Sequence, residues 1–349
     1  MNPSEPLGLP NERVVDTRPS DAALSPEAGL SRSGVLPREL LSLPVVVWAG
    51  VGLLFLALQT YVFGRWAADG GYRLIETAGQ GQGQGGSRQT GTTDVVYPVI
   101  SVLCITAAAV WLFWKCRVER RLLFDALLFL GLLFASWQSP LMNWFHSVLV
   151  SNASVWGAVG SWGPYVPGWQ GAGPGAEAEM PLASASVCMS ALIVTVLCSK
   201  ALGWIKARRP AWRTWRLVVA VFFIGVVLGL SEPLPSASGI SVWARALPEV
   251  TLWSGEWYQF PVYQAVGSGL VCCMLGSLRF FRDERDESWV ERGAWRLPQR
   301  AANWARFLAV VGGVNAVMSV YTCFHILLSL IGGQPPAQLP DSFQAPAAY

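Results

Sequence analysis

Seven apolar runs dominate this chain, and each is close to the length of about 20 residues that a helix needs to cross the hydrocarbon of a bilayer. They are Pro44–Phe63, Val95–Cys116, Leu122–Trp137, Leu182–Trp204, Leu217–Leu234, Pro261–Phe281 and Trp304–Ile331. The third is short but runs on through Pro140 to Phe145. Only 13% of residues are charged, where a soluble domain has about a quarter, so the runs cannot all be buried strands or core helices. The expected fold is therefore all-α, a polytopic integral membrane bundle of about seven transmembrane helices spanning residues 44–331.

The basic residues give the runs a direction. Of the 25 lysines and arginines, only Arg65, Arg73, Arg88 and Arg245 fall on one set of alternating connections, and the others all fall on the opposite set. By the positive-inside rule this predicts a multi-pass protein of the cell membrane with its N-terminus in the cytoplasm and its C-terminus outside. Residues 1–43 read as a disordered cytoplasmic tail, the Gly- and Gln-rich stretch 79–93 as a flexible linker, and the Pro-rich residues 332–349 as a disordered C-terminal tail. Nothing in the first forty residues resembles a cleavable signal peptide.

Small residues recur four apart at Gly225 and Gly229, at Gly269, Cys273 and Ser277, and at Gly312 and Ala316, a spacing that brings membrane helices close. The seven cysteines lie nearly all within spans and read as packing residues, not as disulfides or zinc ligands. Asp125, four residues after Arg121, reads as half of an interfacial ion pair, and Asn315 and His325 as polar residues of the last span with either structural or functional roles.

Two long outer segments, Gln138–Pro181 and Ser231–Phe260, stand apart. They hold one arginine, no lysine and seven of the 18 tryptophans, among them Trp162, Trp169 and Trp257, interleaved with Asn143, His146, Asn152, Glu232, Glu249, Glu256 and Gln259. Tryptophan at a membrane boundary is ordinarily an interfacial belt. A belt leaves the interleaved polar groups and the length of the loops unexplained, so a lined cavity is the other reading. Walker, dinucleotide, nucleophile-elbow and zincin motifs are absent, two distant histidines make a poor metal inventory, and the basic residues form no separate nucleic-acid patch. What is left is acid–base chemistry by carboxylates or one imidazole among aromatic rings, without a cofactor. A carboxyl group in such walls keeps its proton toward neutral pH, and ring faces stabilise a passing cation.

Several pieces, in order, resemble one family: "YVFGRW" at Tyr61–Trp66, "SPLMNWF" at Ser139–Phe145, "GSWGPYVPGW" at Gly160–Trp169, and "YQFPVYQAVGSGL" at Tyr258–Leu270 leading to "LRFFRD" and "VERG". The set is similar to the AveC-like spirocyclases, membrane proteins of avermectin-type macrolide biosynthesis. The resemblance implies ring closure of a dihydroxy-ketone polyketide to a spiroketal, in some members with dehydration. Many members carry an acidic residue where this chain has Ser139, and often another where it has Gln264, so the resemblance names no catalytic acid here. The residues themselves suggest Glu256 as general acid with Glu232 or His146 as its partner. Trp162, Trp169 and Trp257 would enclose the intermediate, and Asn143, Asn152, Tyr258, Gln259, Tyr263 and Gln264 would complete the binding surface. The expected partners are an apolar small molecule and the lipid bilayer. The alternative reading is a membrane transporter or binding protein for a hydrophobic molecule. Oligomeric state is not legible.

Overall fold

A computed structural model describes residues 38–75, 92–230, 239–333, 335–336, 338–340 and 343. After a short helical turn at Arg38–Leu41, seven helices follow among these residues: α1 (Pro44–Ala68), α2 (Thr92–Glu119), α3 (Phe124–Ala135), α4 (Pro181–Arg208), α5 (Thr214–Gly229), α6 (Tyr263–Phe280) and α7 (Gln299–Ser329). Pro44 and Pro181 open α1 and α4, where a missing N–H costs nothing. Five are long and apolar enough to cross a membrane, counting α3 together with its extension to Asn143. The shorter α5 is apolar, and α6 lies outside that set. The expected tail and linker at residues 1–37 and 76–91, and the end of the fifth run at 231–234, lie outside the described residues.

Burial separates the helices into a centre and a rim. In α3 and its extension 56% of the most apolar window is buried, against 17% in α2, so the shortest apolar run sits at the middle of the bundle and α2 at its edge. Leu127, Leu128 and Leu132 of α3 pack with Leu275 and Leu278 of α6 and Val310, Val314 and Val317 of α7.

Glycines set two of the crossings. A Cβ on Gly312 would sit 2.5 Å from the carbonyl oxygen of Trp48, so α7 and α1 meet backbone to backbone there. Gly225 and Gly229 do the same between α5 and α6, against Gly269 and Cys272 and against Ala265 and Ser268. The α6 face that α5 meets is thus Ala265, Ser268, Gly269 and Cys272, which differs from the expected Gly269, Cys273 and Ser277 because an α-helix of 3.6 residues per turn shares a contact between its i+3 and i+4 positions.

One end of the bundle carries the basic residues, held by ion pairs. The Arg279 guanidinium grips Asp125 in a fork, Nε to Oδ1 at 2.8 Å and Nη2 to Oδ2 at 2.9 Å, and its third arm donates to Ser199 at 2.9 Å. Arg121 turns instead to Glu119 and Asp286, which corrects the sequence pairing of Asp125 with Arg121: the fork geometry of a guanidinium across helices outcompetes a neighbour on the same chain segment. Glu291, fully buried, accepts from Arg306 Nε at 2.8 Å and from Ser288. Arg279 and Glu291 belong to the "LRFFRD" and "VERG" pieces, so those pieces fasten helices together.

The other end is a cap of loops that corrects the all-α expectation: the protein is mostly helical, but three short antiparallel pairs join the loops. They are β1 (Leu149–Ser151) with β4 (Ser241–Trp243), β2 (Val159–Gly160) with β3 (Ala178–Glu179), and β5 (Thr251–Leu252) with β6 (Phe260–Pro261). Loops that must satisfy their own backbone near a membrane do so by pairing. The described part of the C-terminal segment returns to this cap, with Gly333 N–H donating to Ala246 O at 2.9 Å and Phe343 buried beside Trp257.

Candidate functional site

The α-helical ladder of α3 does not continue into "SWQSPLMN". Pro140 has no N–H to give, and Ser136–Asn143 tightens into an eight-residue 3-10 helix, longer than the three or four residues usual for that form. Its place is fixed from α7. Trp137 Nε1 donates to Asn315 Oδ1 at 3.0 Å, Gln138 Nε2 donates to the same oxygen at 2.9 Å, and Ser319 Oγ donates to Gln138 Oε1 at 3.1 Å. Asn315 therefore has a structural task, locking the 3-10 segment to the last helix.

Across from this segment runs "AEAEM". Side chains alternate along extended chain, so Glu177, which leads into β3, and Glu179 within it turn to the same side. Register holds that face toward the protein: Glu179 pairs with Val159, Ala178 with Gly160, and Ser161 N–H donates to Glu177 O at 2.9 Å. The two carboxyl groups then meet residues four apart on the 3-10 helix. Ser139 Oγ donates to Glu179 Oε2 at 2.8 Å and Asn143 Nδ2 donates to Glu177 Oε2 at 3.0 Å, while the Ser147 hydroxyl donates to Glu177 Oε1.

Both acids are buried, at 8% and 6% exposure, and no ion pair reaches either among the described residues. Burial disfavours the charged form, and the outcome is set by what opposes it. Burial pushes Glu177 above the usual carboxylate range, with Ser147 and Asn143 both pulling it back. Burial pushes Glu179 up to about 8, opposed by Ser139 alone and reinforced by the charge of Glu177. Glu177 has two side-chain donors to oppose that push and Glu179 has one.

Glu179 and not Glu177 forms part of a cavity of about 190 Å³ under the cap. Hydroxyl groups ring it, from Tyr97, Ser136, Ser139, Ser151, Ser184, Ser241, Tyr321 and Thr322, and Met142, Leu149, Met180, Ile240 and Met318 supply its apolar surface. No lysine, arginine or histidine lines it. An acid that carries its proton near neutrality, facing hydroxyls and apolar surface, can give a proton to a neutral oxygen-bearing molecule and take one back.

The residues singled out from sequence are placed mostly elsewhere. Glu256 is exposed on a turn whose backbone N–H bonds Trp253 O, and Glu232 lies outside the described residues. His146 is half-buried and absent from the cavity wall. Asn143 holds Glu177, and its Oδ1 accepts from Val148 and Leu149 N–H, so it organises the carboxyl pair at second hand. Asn152 closes a turn with Ser154 N–H and donates to Gly239 O. Trp162 is buried in a ring cluster with Phe63 and Trp66 and donates to Trp137 O at 2.6 Å, while Trp169 stacks edge-on against Trp144 and donates to Ala172 O. Trp257 and Tyr258 pack on each other near Phe343, and Gln259 donates to Trp243 O. Tyr263 packs beside Phe324 and His325. Gln264 accepts from Tyr321 OH at 3.0 Å and so reaches the cavity through a lining tyrosine. The indoles build the cap, and tyrosines supply the aromatic part of the cavity wall.

Sequence reasoning passed over Glu177 and Glu179. The signal was there: two acids two apart, spaced by alanines, in a segment without a basic partner and immediately before a membrane run.

A model of the family described as "Spirocyclase AveC-like" matches residues 119–349. The chain belongs to the AveC-like spirocyclase family. The match takes in α3 to α7, the 3-10 segment, both buried acids and every cavity residue except Tyr97, while "YVFGRW" lies outside it. No curated protein and no solved structure matches the chain.

Proposed function

We propose that this member of the family is a membrane cyclase that closes a dihydroxy-ketone polyketide to a spiroketal, with Glu179 as its proton donor. The reading rests on one observation above all: a buried carboxyl group, bonded only by the Ser139 hydroxyl and pushed up to about 8 by burial, in the wall of a hydroxyl-ringed cavity that no basic side chain lines. One alcohol of the substrate adds to the ketone to give a hemiketal. Glu179 gives its proton to the hemiketal hydroxyl, which leaves as water, and an oxocarbenium ion remains. The second alcohol attacks that carbon, and its proton returns to the Glu179 carboxylate. The balance is one water lost and the acid regenerated.

The rings of Tyr97 and Tyr321 in the cavity wall favour the cationic intermediate, and the serine hydroxyls orient the substrate oxygens. A cavity of this size admits the reacting part of a chain and leaves the remainder outside. Tyr97 belongs to α2, the rim helix whose Val96, Val99 and Ile100 are exposed, so an apolar substrate enters sideways from the lipid between α2 and its neighbours. Such a route needs no passage through water on either side. In orientation, the basic end of the bundle faces the cytoplasm and the cap the outside.

Isolated membranes given a synthetic dihydroxy-ketone test the reading by mass spectrometry of the product. Loss of 18 mass units in wild-type membranes, with one spiroketal epimer enriched over that formed without protein, supports it. Product at the uncatalysed rate and epimer ratio contradicts it.

A further inference from the structure

At the basic end, about 24 Å along α7 from the cavity under the cap, lies a second cavity of about 210 Å³. Its wall holds three guanidinium groups, Arg121, Arg285 and Arg306, with the amides of Gln299 and Asn303 and the ring of Trp295. The carboxylates of Asp286 and Glu287 also line it, and both are already engaged. Asp286 takes Arg282 at 2.8 Å and Arg121 at 3.4 Å, Glu287 accepts the N–H groups of Gly293 and Trp295, and Glu291 behind the wall accepts Arg306 Nε.

Arg285 is different. Its guanidinium carbon sits over the Trp295 ring, 3.9 Å from the centroid, and it has no ion pair among the described residues. Stacking fixes the plane of a guanidinium and leaves its N–H edge free for a planar or tetrahedral oxyanion. Two further features favour negative charge in the same hollow: it opens at the N-terminal ends of α3 and α7, neither of which is capped by a side chain. Trp295 and Trp304, 54% and 68% exposed, stand at this end of the bundle as indoles do at headgroup depth.

We infer that this second cavity binds a phosphate group, with Arg285 and Arg121 as its outer ligands and Arg306 at its base. The depth and the exposed indoles favour the headgroup of an anionic phospholipid as the source, and a soluble phosphate has the same chemistry. Occupancy ties the loop from Asp283 to Leu297 to the starts of α3 and α7, and so stiffens the basic end.

The test is thermal unfolding of the purified full chain in mixed micelles. Phosphatidylglycerol is expected to raise Tm by about 5 °C over phosphatidylcholine, and 0.5 M salt to reduce the rise. The double variant Arg121→Ala, Arg285→Ala should match wild type in phosphatidylcholine, which reports its folding, and lose the rise. Arg300→Ala, which removes an exposed charge at the same end outside the cavity, should keep it. Millimolar inorganic phosphate in phosphatidylcholine separates the sources: a rise that the double variant lacks makes the soluble anion the ligand, and a response to phosphatidylglycerol alone makes it the lipid. Equal behaviour of wild type in all three conditions, or a rise that survives in the double variant, overturns the inference.

Discussion

Two glutamates two residues apart differ in their partners: Glu177 accepts from two side-chain donors and Glu179 from one. Stability follows from that difference. The folded chain holds the Glu179 proton up to about pH 8, whereas an unfolded chain releases it near 4.5, so stability is full below about 4.5 and falls as the pH rises through 8. Melting temperatures in detergent between pH 5 and pH 9 should show this decline, and Glu179→Gln should flatten it. Ser139→Ala removes the one donor that favours the Glu179 anion, so the decline should move to higher pH. The proposed cyclase activity should share the same dependence, dropping about tenfold per unit above pH 8 as expected for loss of a single acidic proton.

Elements place these residues by rules that differ in how well a sequence displays them. Apolar length showed the helices α1 to α4 and α7 to within about five residues at either end, since a bilayer imposes that length whatever the neighbours are. The Arg279 fork on Asp125 was less legible, because positions 125 and 279 are brought together by helix packing and Arg121 is the nearer residue in sequence. The cap was least legible. Strands of two or three residues carry too little alternation to be recognised, and without β3 nothing marks Glu177 and Glu179 as sharing a face. Two substitutions test the packing. Gly225→Leu drives a side chain into Cys272 and should cost about 1–3 kcal/mol, read as a lower Tm. Arg306→Ala leaves the Glu291 carboxylate buried without its cation and should cost about 3–5 kcal/mol, with Arg306→Lys recovering part of the loss.

At the scale of the whole molecule, the bundle has a basic end fastened by ion pairs and a loop-built end that encloses a cavity with Glu179 in its wall. In a bundle that crosses a membrane these two ends lie on opposite sides, which cysteine labelling can check. In a cysteine-depleted background, Ser254→Cys at the cap and Glu284→Cys at the basic end should react with a membrane-impermeant maleimide from opposite faces of sealed vesicles. The overall architecture was legible in the spacing of apolar runs and arginines, and the chemical centre was not, because its acid is recognisable only by the partners that burial leaves it. That acid is also where the account is most exposed. The decisive measurement is turnover of a dihydroxy-ketone by membranes carrying Glu179→Gln or Glu256→Gln at equal protein levels. The account predicts a loss of at least about 100-fold for Glu179→Gln and near wild-type turnover for Glu256→Gln. Wild-type turnover by Glu179→Gln, above all with activity abolished in Glu256→Gln, would contradict it.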